Sequence, residues 1–377
     1  MAFVHVNHCA RSPTRTNARR THQPALFALY SVLCTLHSAL CTLHSALCAL
    51  HSAFPITEVS PMPRPMFDSE YLYGLHDPGG EQLMLDANAP GWVVIAEEID
   101  ANPNDTGGGN YNHLSNRGLG VIVRLNYGYY GKGTIPHSSR YQDFAQRCAN
   151  FVRSSQGCRI WIIGNEPNHA SERPVAPLET ITPELYARCY RLCRSAIHGV
   201  DAQAQVLVAG IAPWNNQTGD WIEYFSSVLK LVAGECDGFA LHTYARSSDP
   251  ATITSAETMD PPFNRYSKQF PTYKDFLRVV PASMRSLPCY ITETDYDGPW
   301  EDRDTGWIRR AYEDINQWNQ QPGNQVIRAL VLYRWANHDH FVIETKNGPK
   351  SDFRQALSAG FKWPLRQASE TVRQPSE

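Results

Sequence analysis

At 377 residues, with 42% hydrophobic and 19% charged side chains, the chain carries ample apolar material for one large core. Its formal net charge of −3 gives no basic footprint, which argues against nucleic acid and anionic membrane surfaces as partners. The 10 cysteines include no C-x-x-C pair, so no zinc pattern emerges; Cys189 and Cys193 share one helix face and read as buried thiols.

Residues 1–65 stand apart in composition. One heptapeptide is copied three times over 31–51 as SVLCTLH, SALCTLH and SALCALH. Arg11, Arg15, Arg19 and Arg20 precede an uncharged stretch from Pro24 to Ala53. Three readings stay open: a secretion signal or membrane anchor, a short coiled coil, or a tandem repeat lying upstream of a true start at Met62 or Met66. Secretion is expected only if 1–53 act as a signal segment, and a cytoplasmic location otherwise. The proline-rich stretch Pro55–Pro65 reads as a linker, and 366–377 as a polar tail. The body of the chain is therefore expected within 66–365.

From Tyr71 onward, short β-rich runs alternate with amphipathic stretches, and the alternation repeats eight times. The strands predicted are Tyr71–His76, Trp92–Ile99, Gly120–Tyr127, Arg159–Asn165, Gln205–Ile211, Gly238–Tyr244, Cys289–Thr294 and Ile327–Trp335. Helical periodicity falls at Ser139–Ser154, Pro183–His198, Trp221–Val232, Tyr273–Val280, Trp307–Trp318 and Asp352–Ala359. Several strands are continuously apolar (WVVIA, VIV, WII, VLVA), as strands covered on both faces must be. Eight βα units predict an α/β protein built as a (β/α)8 TIM barrel, not an open doubly wound sheet. Gly107–Gly109 reads as a flexible connection, and no dinucleotide fingerprint follows the first strand.

The active site of such a barrel lies at the carboxyl ends of its strands. Those ends offer His76 and Asp77, Glu97 and Glu98, Arg124, Asn165 and Glu166, Trp214 and Asn215, His242 and Tyr244, Glu293, and Arg334, Trp335 and Asn337. Glycosidic cleavage needs one carboxylic acid to protonate the departing oxygen and a second carboxylate at the anomeric carbon. Strands four and seven face each other across a barrel mouth, so Glu166 and Glu293 are expected about 5–5.5 Å apart, the spacing for retention of configuration. Asp295 is expected beyond the end of its strand, as a loop or cap residue. His76 and Asp77 serve either as substrate contacts or as the N-cap of the first helix. Read from the residues alone, Arg124 is a partner for Glu97 or Glu98.

WIIGNEPN at Trp161–Asn168 and YITETD at Tyr290–Asp295 resemble the signatures of clan A glycoside hydrolases. The resemblance spans roughly Tyr71 to Lys362 and implies a retaining hydrolase of β-linked glycosides or polysaccharides, with no cofactor or metal and a carbohydrate as partner. It implies Glu166 as acid/base and Glu293 as nucleophile. Asn165 would bond the sugar 2-hydroxyl, His242 and Tyr244 would form the H-x-Y element, and Trp335 would floor the subsite. Arg124 resembles the clan's arginine near the nucleophile, although it stands on strand three where the clan uses strand two. His76 and Trp214 complete the expected substrate contacts. Two rivals remain: a barrel that binds carbohydrate without cleaving it, and a metal-dependent barrel hydrolase.

Overall fold

The computed structural model describes residues 66–336 and 339–363, together with His37. The readings made for the heptapeptide repeat, the linker, Asn337 and the polar tail lie outside the described residues. The barrel falls within the compact unit Pro63–Glu377.

Eight parallel strands close on themselves in sequence order, because β1 (Tyr73–His76) pairs with both β2 (Trp92–Glu98) and β8 (Ile327–Leu332). Between them run β3 (Gly120–Asn126), β4 (Ile160–Ile163), β5 (Gln205–Val208), β6 (Phe239–Tyr244) and β7 (Cys289–Asp295). Parallel neighbours need a crossover each, and helices supply most of them. These are α1 (Glu81–Asp86), α2 (Asn112–Ser115), α3 (Tyr141–Ser154), α4 (Pro183–His198), α5 (Trp221–Leu231), α6 (Thr272–Arg278) and α7 (Trp307–Asn319), and α8 (Asn347–Leu357) follows the last strand. The expected (β/α)8 barrel is the fold observed. The two shortest helices, α1 and α2, are six and four residues long, and helical periodicity does not locate them.

The apolar runs become strands because helices cover them outside and side chains fill them inside. All of β3 and β4 is buried, down to Val121, Val123, Ile160 and Trp161 at 0% exposure. On α3 the buried residues Phe144, Cys148 and Phe151 recur at spacings of four and three, turning one stripe inward. Truncating a core ring such as Phe144 to alanine costs about 3–5 kcal/mol. Caps fix where helices start. Pro183 opens α4 while Thr182 Oγ1 accepts from Leu185 N at 3.3 Å, and Asp220 Oδ1 accepts from Ile222 N at 2.8 Å to open α5.

Three local expectations change. Gly107–Gly109 is tethered: Arg147 Nη1 donates to Gly107 O at 2.8 Å, and Gln156 N to Gly109 O at 2.9 Å. The eighth strand stops at Leu332 because the backbone of Arg334 turns away to exchange hydrogen bonds with Phe341 and Ile343. The seventh strand runs on through Asp295, whose carbonyl accepts from Ala245 N at 3.0 Å and keeps β6 and β7 paired. Cys148, Cys158, Cys189, Cys193, Cys236 and Cys289 are free thiols.

Candidate active site

Polar side chains that the barrel would otherwise exclude gather at the carboxyl ends of the strands. Arg124 is inside β3 and only 4% exposed. Its Nη1 donates to Asn165 Oδ1 at 2.6 Å and, more closely still, to Glu293 Oε1. The alternative partners of Arg124 are engaged elsewhere: Glu97 accepts from Tyr111 Oη at 3.0 Å, and Glu98 pairs with Lys132 at 2.5 Å. Arg124 thus meets Glu293 from strand three, despite the difference from the clan pattern.

Glu293 projects from β7 and is 5% exposed. Tyr244 Oη donates to its Oε2 at 2.9 Å. Burial pushes the Glu293 carboxyl up, but His242 and Arg124 outweigh it and hold the group down at about 2. The same burial and the two glutamates push the Tyr244 phenol well up, so it stays a donor. Glu166 follows β4 at a left-handed φ of 34°, an unfavourable conformation for a residue with a Cβ. Its Oε1 lies 2.7 Å from His242 Nδ1 and 3.3 Å from Tyr244 Oη. His242 and Tyr244, two residues apart on β6, share a face as strand geometry requires. Tyr244 therefore touches both carboxylates at once.

One oxygen each from Glu166 and Glu293 and one nitrogen of His242 lie within 4.8 Å of one another. Among the described residues these three side chains are the ones able to hold a cation, although the Arg124 guanidinium on Glu293 opposes a second positive charge there. Asn165 is fixed by Arg124 and by Thr134, whose Oγ1 donates to Asn165 O at 2.8 Å. The His242 ring reaches Glu166 only because Gly210 has no side chain: a Cβ there would stand 2.4 Å from His242 Cδ2.

His76 is fully buried on β1, with Nδ1 2.9 Å from Asp77 Oδ1 and Nε2 4.0 Å from Glu293 Oε1. Asp77 does not cap the first helix: the N-cap position of α1 is Gly80, with no side-chain cap. Arg334 claims Asp77 instead, through Nε at 2.6 Å and Nη2 at 3.0 Å. Trp214 stands on the rim at a φ of 60°, its ring 6.4 Å from that of Tyr244 and 4.0 Å under the Arg246 guanidinium. The loop after β6 secures it, since Trp214 Nε1 donates to Ser267 O at 2.8 Å. Trp335 lies three residues beyond β8 and packs its indole on Gly79 and Gly80. Tyr333, just past β8, packs its ring against His76 with centroids 5.0 Å apart.

Sequence reasoning misses Tyr333, Gly210 and the carboxyl of Glu172, and it reads Asp295 as a loop or cap residue where the structure keeps it in β7. Asp295 is 2% exposed; burial pushes its pKa up, and its Oδ1 accepts from Asp297 N at 2.5 Å. Glu172 sits in the short turn Ala170–Glu172 after β4, and burial together with Glu166 raises its carboxyl to about 7. The strand-end pattern contains a signal for Asp295, which lies two residues past Glu293; nothing in the spacing points to Glu172.

No protein-family model matches the sequence, and no curated protein matches it. Solved structures do match. The glucosidase from Croceicoccus marinus aligns at a TM-score of 0.54 and 12% identity, over 79% of this chain and 69% of that one. The endo-β-1,4-mannanase from Thermotoga petrophila aligns at 0.48 and 10% identity, over 81% and 79% of the two chains. Cel5A from Thermotoga maritima, solved with mannotriose, aligns at 0.47 and 14% identity, over 76% and 97%. At such identities the likeness is one of fold alone, that of a closed (β/α)8 barrel.

Proposed function

We propose that this protein is a retaining glycoside hydrolase acting on β-linked glycosides or polysaccharides. The observation that carries the reading is the approach of Glu166 and Glu293 to within 4.8 Å, bridged by Tyr244 and with Arg124 seated on Glu293 alone. Two-displacement hydrolysis requires such a short carboxyl separation. The asymmetry of partners divides the roles. Glu293, kept anionic by Arg124 and Tyr244, attacks the anomeric carbon. Glu166 protonates the leaving oxygen, then takes a proton from the water that cleaves the glycosyl ester. Asn165 presents its amide beside Glu293 for a sugar hydroxyl, and the rim indole of Trp214 offers a stacking face to a neighbouring sugar.

The test is turnover of aryl β-glycosides and common β-glucans and mannans. Glu293→Ala is expected to abolish it, and Glu166→Ala to recover rate on an activated aryl glycoside when azide is added. Normal turnover by Glu293→Ala on every accepted glycoside overturns the reading. A metal-dependent hydrolase remains the second reading, because Glu166, His242 and Glu293 have the spacing of a ligand set. Activity that survives EDTA decides against it. No helix among the described residues is long and apolar enough to cross a membrane.

A further inference from the structure

Two loops beside Glu166 carry an apolar patch that the barrel core does not use. After β3 the chain doubles back as a hairpin: Tyr127 N donates to Thr134 O at 2.7 Å and Gly128 N to Gly133 O at 3.0 Å. The hairpin is bonded to the loop after β4, through Thr134 N to Glu172 O at 3.1 Å and Val175 N to Gly131 O at 2.9 Å. Its root is tied to the strand end that carries Glu166, since Thr134 Oγ1 donates to Asn165 O and accepts from Asn165 N. Gly133 permits the close backbone approach: a Cβ there would stand 2.5 Å from Pro174 N.

At the tip, Tyr129 reaches back to buried Asn126, whose Nδ2 donates to its Oη at 2.6 Å. Tyr130 is instead fully exposed, at an unfavourable left-handed φ of 49°. Val175 and Leu178 pair across the turn formed by Ala176 and Pro177, and residues opposite each other in such a bridge face the same side. A Cβ on Gly131 would lie 3.1 Å from Val175 Cγ2, so the patch runs from the Tyr130 tip through Val175 to Leu178. Val175 is 56% and Leu178 71% exposed, and with Tyr130 they are most of the large apolar side chains left in solvent among the described residues. One exposed leucine is ordinary, whereas several gathered in one place mark a binding surface. Charged side chains at its edge are engaged, Lys132 by Glu98 and Glu179 by Ser138.

Position selects the occupant. Glu166 protonates the leaving oxygen, so the departing group lies on the Glu166 side of the mouth, where both loops stand. Tyr130 is four residues from Thr134, hence within about 14 Å of it. Branched valine and leucine side chains give a sugar ring neither a flat face nor hydrogen-bond partners, but they cover methylene groups well. We propose that Tyr130, Val175 and Leu178 bind an apolar tail on the leaving group, which makes β-glycosides of hydrophobic alcohols the substrate class. This rests on the glycosidase reading and narrows it.

The test measures kcat/KM on butyl and octyl β-glycosides of one accepted sugar, below micelle formation; the two alcohols are equally good leaving groups. Covering a methylene fully contributes about 4-fold and covering one side about 2-fold, so the longer chain is expected to raise wild-type kcat/KM about 16-fold. Combining Tyr130→Ser, Val175→Ser and Leu178→Ser is expected to bring the octyl-to-butyl ratio down to about 1–2. Leu178→Lys alone, a change at an already exposed side chain, is expected to at least halve it, about a 2-fold effect. Leu231→Ser, at the C-terminal end of α5, is expected to leave the ratio as it is. A wild-type ratio of about 1, or a ratio that survives the triple variant, overturns the inference. So does self-association that the triple variant abolishes while the ratio stands, which assigns the patch to a second copy of the chain. In each of these cases turnover leaves the glycosidase reading intact; a wild type inactive on every glycoside removes both.

Discussion

Replacing Arg124 with methionine keeps an unbranched apolar stem and removes the charge that Glu293 Oε1 meets. Both groups are at least 95% buried, with Arg124 4% and Glu293 5% exposed, so solvent does little to screen the pair. An adjacent arginine depresses a carboxyl by about 1–3 pH units. Without it, Glu293 is expected to rise from about 2 to about 4, with His242 and His76 retaining the remainder of the effect. At about 1.4 kcal/mol per pH unit, this corresponds to about 3 kcal/mol of selective stabilisation of the carboxylate. The sign follows from the direction. A depressed carboxyl stabilises the fold above its unfolded value of 4.5 and loses that contribution as pH falls from 4.5 toward 2. The wild type is therefore expected to show no acid limb of kcat/KM from Glu293 above about pH 3, whereas Arg124→Met acquires one near pH 4. The assay is the pH profile of kcat/KM on an aryl glycoside, with thermal unfolding at pH 7 to register the loss expected from an unpaired buried charge, about 3–5 kcal/mol. Arg124→Lys is the control, since it keeps the charge and loses much of the geometry that also holds Asn165. An acid limb unmoved in Arg124→Met refutes the assignment of Arg124 as the group that keeps Glu293 ionised.

Two other perturbations probe the same cluster. Tyr244→Phe deletes the hydroxyl shared by Glu166 and Glu293; a hydrogen bond to a charged group contributes about 1.5–3 kcal/mol, so kcat is expected to fall about 10- to 150-fold with little change in unfolding temperature. A wild-type kcat for this variant contradicts its role. Gly210→Ala drives a methyl to within 2.4 Å of the His242 ring, which must leave Glu166 Oε1; a loss of about 1–3 kcal/mol in stability and a fall in kcat are expected together, and an unchanged kcat shows that the His242 contact is dispensable.

The alternation of apolar runs with amphipathic stretches determined the barrel, because only strands covered on both faces tolerate WVVIA or VLVA without polar relief. Strand order then put Glu166 and Glu293 at one mouth, and period-two geometry put His242 and Tyr244 on one face. What spacing along the chain cannot carry is who touches whom across the barrel. Whether Arg124 served Glu97, Glu98 or Glu293 was decided by the direction of a side chain inside β3. The continuation of β7 through Asp295 depended on a partner in β6, and the early end of β8 depended on the loop that recaptures Arg334. Tyr333, Gly210 and the Asp77–Arg334 pair belong to the same class: their roles arise from residues distant in sequence and adjacent in space. Local sequence sets periodicity and hydrophobic faces. The Asp77–Arg334 ion pair and the packing of the Tyr333 ring on His76 arise only when the closed barrel brings its first and eighth strands together.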